Sequence, residues 1–229
     1  TTIVQGKVDV AAPSAGAKGG KVQLLGERVG LFDGAKVDAS GGAGGGTVLA
    51  GGDYLGGQTP SADLKDVAKQ EAEPVKNAKA TVMADTAEIK ADATVSGDGG
   101  KIVLWSDDFT GFYGKVFARG GKVGGNGGFV ETSSKNLQAS GSVDASAKNG
   151  KGGQWLIDPY DLIITANTTS GGTTNTPFTA TGATDPAQVS AANINTALNG
   201  GTSVTVLTSS GGGTNATGDG IITFAANIT

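Results

Sequence analysis

Apolar and polar residues alternate in short runs along this chain, and the runs repeat. Five segments place two glycines ahead of such a run: Gly19-Gly20-Lys21-Val22-Gln23-Leu24, Gly45-Gly46-Thr47-Val48-Leu49-Ala50, Gly99-Gly100-Lys101-Ile102-Val103-Leu104, Gly127-Gly128-Phe129-Val130-Glu131-Thr132 and Gly152-Gly153-Gln154-Trp155-Leu156-Ile157. The second glycines stand at 20, 46, 100, 128 and 153, so the gaps are 26, 54, 28 and 25, and 54 is twice 27. A fixed period of roughly 25–28 residues marks a solenoid. Side chains two apart share a face of a strand. The column Val22, Val48, Ile102, Val130, Trp155 and the column Leu24, Ala50, Leu104, Thr132, Ile157 are apolar in nine of ten places and are expected to face a core. The column between them, Gln23, Leu49, Val103, Glu131 and Leu156, is mixed.

A second strand precedes each glycine cluster, as in Lys7-Val8-Asp9-Val10, Lys36-Val37-Asp38-Ala39, Lys115-Val116-Phe117-Ala118 and Ser142-Val143-Asp144-Ala145. Two or three short strands joined by glycine turns and repeated at this period predict an all-β parallel β-helix. Each coil then covers the open edge of the next. A propeller blade needs about 40 residues, and leucine-rich repeats need a Leu/Asn signature that is absent.

Two stretches break the pattern. Residues 58–80 are charged and poor in glycine between Asp63 and Glu73, and Ser61 is placed to cap a short helix. They are expected to leave the coil as a loop or short helix. Residues 1–165 thus read as regular coils with one excursion. Residues 166–229, rich in Thr, Gly and Asn, read as a continuation of the same axis, with an irregular insert at about 166–200. A separate small domain is the alternative. Ser190 through Asn199, followed by Gly200-Gly201, reads as a capped helix near 190–199 with a glycine stop.

Composition removes much chemistry. With 0 Cys and 0 His there is no disulfide, no thiolate zinc site, no thiol nucleophile and no Ser-His-Asp mechanism. The formal charge of −4 argues against a nucleic-acid partner, which requires clustered Lys and Arg. No apolar run is long enough for a membrane-crossing helix. The chain opens on strand-like Thr1-Thr2-Ile3-Val4 with no signal peptide, so it is expected to be a piece of a longer protein.

Certain segments resemble a known family. They are Gly100 to Asp107, Phe112 to Val116, Ala118 to Gly121, Gly124 to Glu131, the stretch Trp155-Leu156-Ile157-Asp158-Pro159-Tyr160-Asp161-Leu162-Ile163-Ile164, and Ile194 to Val206. They are similar to large exoproteins of the filamentous-haemagglutinin type. The likeness runs through residues 19–57 and 81–229. It implies a right-handed β-helical rod, Gram-negative two-partner secretion through an outer-membrane transporter, and a secreted or cell-surface adhesin serving attachment or biofilm. A surface receptor, including a polysaccharide, is the implied partner. The resemblance implies no cofactor and no catalytic residues.

Four sets of residues invite chemistry. Asp158 and Asp161 are a carboxylate pair for general acid–base work or, in an Asp-Pro turn, acceptors for backbone amides. Asp107, Asp108 and Asp98 read as calcium ligands or as exposed turn acids. Trp105, Tyr113 and Phe117 fall outside the inward columns, near Lys115 and Arg119. As an outer aromatic patch they suit stacking on a sugar, and they equally suit packing beneath a neighbouring segment. The threonines Thr173, Thr174, Thr176, Thr179, Thr181 and Thr184 are not in register for an ice-binding ladder. The expected function is therefore a rod segment of an adhesin rather than an enzyme. A carbohydrate-binding module is the alternative. A β-helical polysaccharide-degrading enzyme is weaker, since Arg28 and Arg119 are the only arginines and fall in different coils.

Overall fold

In a computed structural model of the chain, described here for residues 1–166, 187–208 and 220–229, almost every element is a parallel β-strand. Five coils follow one another. The first is β1 (Thr2–Val4), β2 (Lys7–Asp9) and β3 (Lys21–Leu24). The second is β4 (Arg28–Leu31), β5 (Lys36–Asp38) and β6 (Thr47–Ala50). The third is β7 (Ala80–Met83), β8 (Glu88–Lys90) and the first half of β9 (Lys101–Phe112). The second half of β9, then β10 (Lys115–Phe117) and the first half of β11 (Phe129–Ala139), make the fourth. The second half of β11, then β12 (Ser142–Asp144) and β13 (Gln154–Asp158), make the fifth.

The coils stack strand on strand. β2, β5, β8, β10 and β12 form one ladder. β3, β6, β9, β11 and β13 form a second. β1, β4, β7 and the far halves of β9 and β11 form a third. This is the parallel β-helix that the period predicts. Both inward columns are buried in one continuous core. The third ladder adds Val4, Leu31, Met83, Phe112 and Ala139 in register. Each fully buried aliphatic side chain stabilises such a core by about 1.5–3 kcal/mol. The one polar member of the inward columns, Thr132, is buried and partnered: its hydroxyl accepts the Trp155 indole N–H at 2.9 Å.

The paired glycines answer to close approach of the chains rather than to unusual dihedrals. A Cβ on Gly127 would lie 1.7 Å from the Ala145 carbonyl oxygen, and one on Gly99 would lie 2.0 Å from that of Ala118. Only glycine lets one coil's corner lie against the next.

After β13 the order changes. β14 (Leu162–Thr165) does not stack on β11. Instead β15 (Ala187–Ser190) pairs with β11 and β14 lies outside it, with β17 (Ile222–Phe224) beyond. β16 (Ser203–Val206) continues the second ladder on β13. Between β15 and β16 the predicted helix forms as α1 (Ala191–Asn199), capped by the Ser190 hydroxyl, which accepts the Asn193 amide. α1 packs beside β12, and its Ala191, Ile194 and Ala197 enter the core. The helix thus takes the place of a further rung in the short-strand ladder. No helix among the described residues is long and apolar enough to cross a membrane.

The excursion starts earlier than its sequence suggests: the chain leaves the coil after Gly51, whose carbonyl accepts the Ala78 amide at 2.6 Å, and Ala78 is already back in the coil core. Of the two forms expected for the excursion, a loop or a short helix at Ser61, the chain takes the loop. Residues 62–67 make successive turns, in which the Ser61 carbonyl accepts the Leu64 and Lys65 amides. The helical turn lies earlier, a 3-10 turn at Tyr54–Gly57 capped by Asp53.

Candidate functional site beneath the excursion

The outer face of the second ladder carries the mixed column. Leu49, Val103, Glu131 and Leu156 stand in register, and beside them Trp105, Ser133 and Asp158 do the same. The excursion folds over this face and buries it in a cluster of its own with Tyr54, Leu55, Leu64 and Phe129. The Tyr54 ring meets Phe129 edge-on at 5.2 Å, and its hydroxyl donates to the Leu64 carbonyl at 2.9 Å. Gly52 and Gly56 lie against the Trp105 indole, where added Cβ atoms would sit 2.6 Å from Cδ1 and 2.5 Å from Cε2.

Two sets of charges meet here. Asp53, 3 % exposed, accepts Lys101 Nζ and the Tyr54 amide, both at 2.8 Å, and also the Glu71 amide. Lys101 donates further to the Lys69 carbonyl at 2.7 Å, and Glu71 pairs with Lys21. This cation is therefore fully engaged. Glu131 is wholly buried and has a thinner set of partners. Its Oε2 accepts the Leu55 amide at 3.0 Å, while Oε1 has no partner in hydrogen-bonding geometry, the adjacent Ser133 hydroxyl included. Burial pushes the Glu131 carboxyl up to about 8. That value is the net of opposing effects: the Leu55 amide and the nearby Ser133 hydroxyl pull it down, and the charges of Asp158 and Asp53 add to the rise. Burial, with the same Glu131 and Asp158 charges, pushes the Tyr54 hydroxyl up to about 12.

The aromatic patch expected from the sequence does not form as an open surface. Trp105 does point away from the coil core, but the excursion covers it and leaves it 1 % exposed. Tyr113 packs with Phe32, Val82, Ala84 and Phe109, and its hydroxyl donates to Gln138 Oε1 at 2.8 Å. Phe117 is half-buried and does not lie under the excursion. Lys90 and Arg119 sit over its ring at 5.7 and 4.8 Å. The three aromatics therefore occupy separate places, because the twelve-residue β9 turns a corner between Trp105 and Tyr113. In this arrangement Trp105 offers no ring face to a sugar.

The acidic candidates are likewise separated. Asp158 ends β13, buried at 1 % and facing the covered side. Asp161 accepts a backbone amide, that of Ile221, at 2.9 Å. Asp107 accepts Asn77 Nδ2 at 2.9 Å and Asp98 accepts the Asn126 amide at 2.6 Å. No three acidic side chains among the described residues converge as metal ligands. The six threonines considered for a ladder lie outside the described residues.

Two concavities flank the excursion. A cavity of about 300 Å³ brings together Leu55, Leu64, Trp105, Asp158 and Leu207. A wider groove of about 940 Å³ runs between residues 66–71 and the glycine corners at 45–46, 99–100, 127–128 and 152–153. Sequence reasoning passed over Asp53, Lys101 and Glu131. For Glu131 a signal existed: it is the charged member of a column otherwise held by Gln23, Leu49, Val103 and Leu156. No protein-family model matches the chain, and no curated protein matches it.

Proposed function

We propose that the chain is a shaft segment of a secreted adhesin of the filamentous-haemagglutinin type, supporting or mediating attachment of cells to cells, surfaces or a biofilm matrix. The observation that carries this reading is the in-register stacking of three ladders over five successive coils around one apolar core. Each coil adds about 4.8 Å of length. Each coil also contacts chiefly its neighbours, so length is gained without redesign of the core. A protein built to extend gains reach from that architecture. By the resemblance, a Gram-negative outer-membrane transporter exports it, and its receptor lies on a host or bacterial surface.

Displaying the chain on a non-adherent bacterium tests this reading. Cells should be retained under flow on glass, on bacterial lawns or on epithelial monolayers more often than cells carrying an empty display scaffold. No gain on any of these surfaces counts against it. Release of reducing ends from acidic polysaccharides would replace it with the enzyme reading.

One observation favours a carbohydrate contact as a second reading, at a different place from the aromatics. A hollow of about 380 Å³ gathers Arg119 and Lys122 from one coil and Lys148 from the next, with Thr94 and Ser146 beside them. Arg119 is held there by Asp92, with Nη2–Oδ2 at 2.6 Å. Lys122 and Lys148, one coil repeat apart, suit the carboxylates or sulfates of an acidic polysaccharide.

A further inference from the structure

We propose that the excursion, residues 52–77, is a lid whose closure over the Trp105 face is governed by the charge on Glu131: closed while Glu131 is neutral, loosened once it ionises.

The geometry sets up that dependence. Glu131 lies at the centre of the covered face with no exposure to water. Its only hydrogen-bonded contact with the excursion is the Leu55 amide, and its second oxygen has no partner. An ionised carboxylate needs several donors to offset the loss of water. The groups facing it do not supply enough of them: its own strand offers one, the hydroxyl of Ser133, which is uncommitted but not in hydrogen-bonding geometry with it. From the excursion come Asp53 and the Tyr54 hydroxyl, the first an anion and the second committed to Leu64. From β13 comes Asp158, another carboxylate. From β9 comes Lys101, which Asp53 and the Lys69 carbonyl already hold. The excursion thus brings a negative charge of its own, Asp53, to a site that already holds two carboxyl groups.

The backbone shows a second sign of constraint at the same spot. Leu55 lies at φ 53° and ψ 29°, a left-handed conformation that a side chain disfavours. The residue is held there with its amide directed at Glu131 and its side chain buried. Backbone strain of this kind collects at switch segments. The excursion also contributes no strand to any ladder, so it is able to lift while the coils stay stacked.

The proton linkage has one sign. Burial raises the Glu131 carboxyl from 4.5 to about 8 in the closed state. The closed form therefore binds the proton more tightly. Closure is most favoured below about pH 4.5, weakens as pH rises toward 8, and changes no further above it.

Hydrogen exchange of the full chain between pH 5 and 8, corrected for intrinsic rates, tests the proposal. Protection of the Leu55, Gly56, Gln58 and Leu64 amides should fall by roughly tenfold per pH unit. The amides of β9 and β11 should stay protected. In Glu131→Gln, and in Glu131→Leu as a second neutral replacement, protection of the excursion should lose this pH dependence. A flat wild-type profile overturns the proposal, whatever the variants do. So does exchange that rises in the excursion and the strands together, or a neutral variant that keeps the wild-type dependence.

Discussion

The backbone amide of Leu55 donates to the carboxylate of Glu131 at 3.0 Å, across 76 positions of sequence. That bond ties the excursion to the middle of a sheet, beside the bonds from Lys101 of β9 to Asp53 and Lys69. It leaves one oxygen of a buried acid without a partner.

Global stability should carry the mark of this acid. Glu131 has its pKa raised on folding, so the unfolded chain releases that proton more readily. The folded state should lose stability between about pH 4.5 and 8, by on the order of a few kcal/mol. Glu131→Gln keeps an acceptor for Leu55 and removes the charge. Urea melts should show the variant more stable than wild type at pH 9, with the gap closing toward pH 5.

Thr132 and Trp155 make the second testable pair. Thr132→Val preserves shape but leaves the buried indole N–H without its acceptor. The cost should be about 1–3 kcal/mol, read as a lowered denaturation midpoint. A neutral result would mean that the indole finds another acceptor.

Glycine at the corners gives a sharper contrast. Gly127→Ala places a methyl group 1.7 Å from the Ala145 oxygen, so two coils must separate. A loss of about 3 kcal/mol or more is expected, or failure to fold. Gly6→Ala meets nothing within 4 Å and should stay within about 0.5 kcal/mol of wild type by thermal melting.

For the basic hollow, Lys122→Ala with Lys148→Ala should weaken binding of alginate or heparin at low salt by about tenfold. Added salt should abolish binding by wild type. Calorimetry that detects no binding by wild type removes this second reading.

The coils were legible because their rule is local: alternation marks each strand, and glycine marks each corner where the chains touch. The helix at Ala191–Asn199 was legible for the same reason, through its Ser190 cap and glycine stop. The site was not, because it depends on what lies over it. Trp105 was correctly placed on the outer side, yet its exposure is set by Gly52, Gly56 and Leu64, about fifty positions away in the chain. The insertion of β15 between β11 and β14 was hidden too, since parallel strands of similar composition carry no label of their order. The place of Phe117, under Lys90 and Arg119, follows from the stacking of two coils.

The stacked shaft is tested most directly by one distance. Lys7 and Ser142 lie on the outer side of β2 and β12, the two ends of the five-strand ladder. Four steps of about 4.8 Å separate them, roughly 19 Å along the axis. The chain has 0 Cys, so spin labels on Lys7→Cys and Ser142→Cys attach only there. Pulsed electron resonance should give one narrow distribution near 19 Å, widened by the label arms. A broad distribution, or a maximum well beyond 35 Å, would contradict the parallel stacking on which the shaft depends.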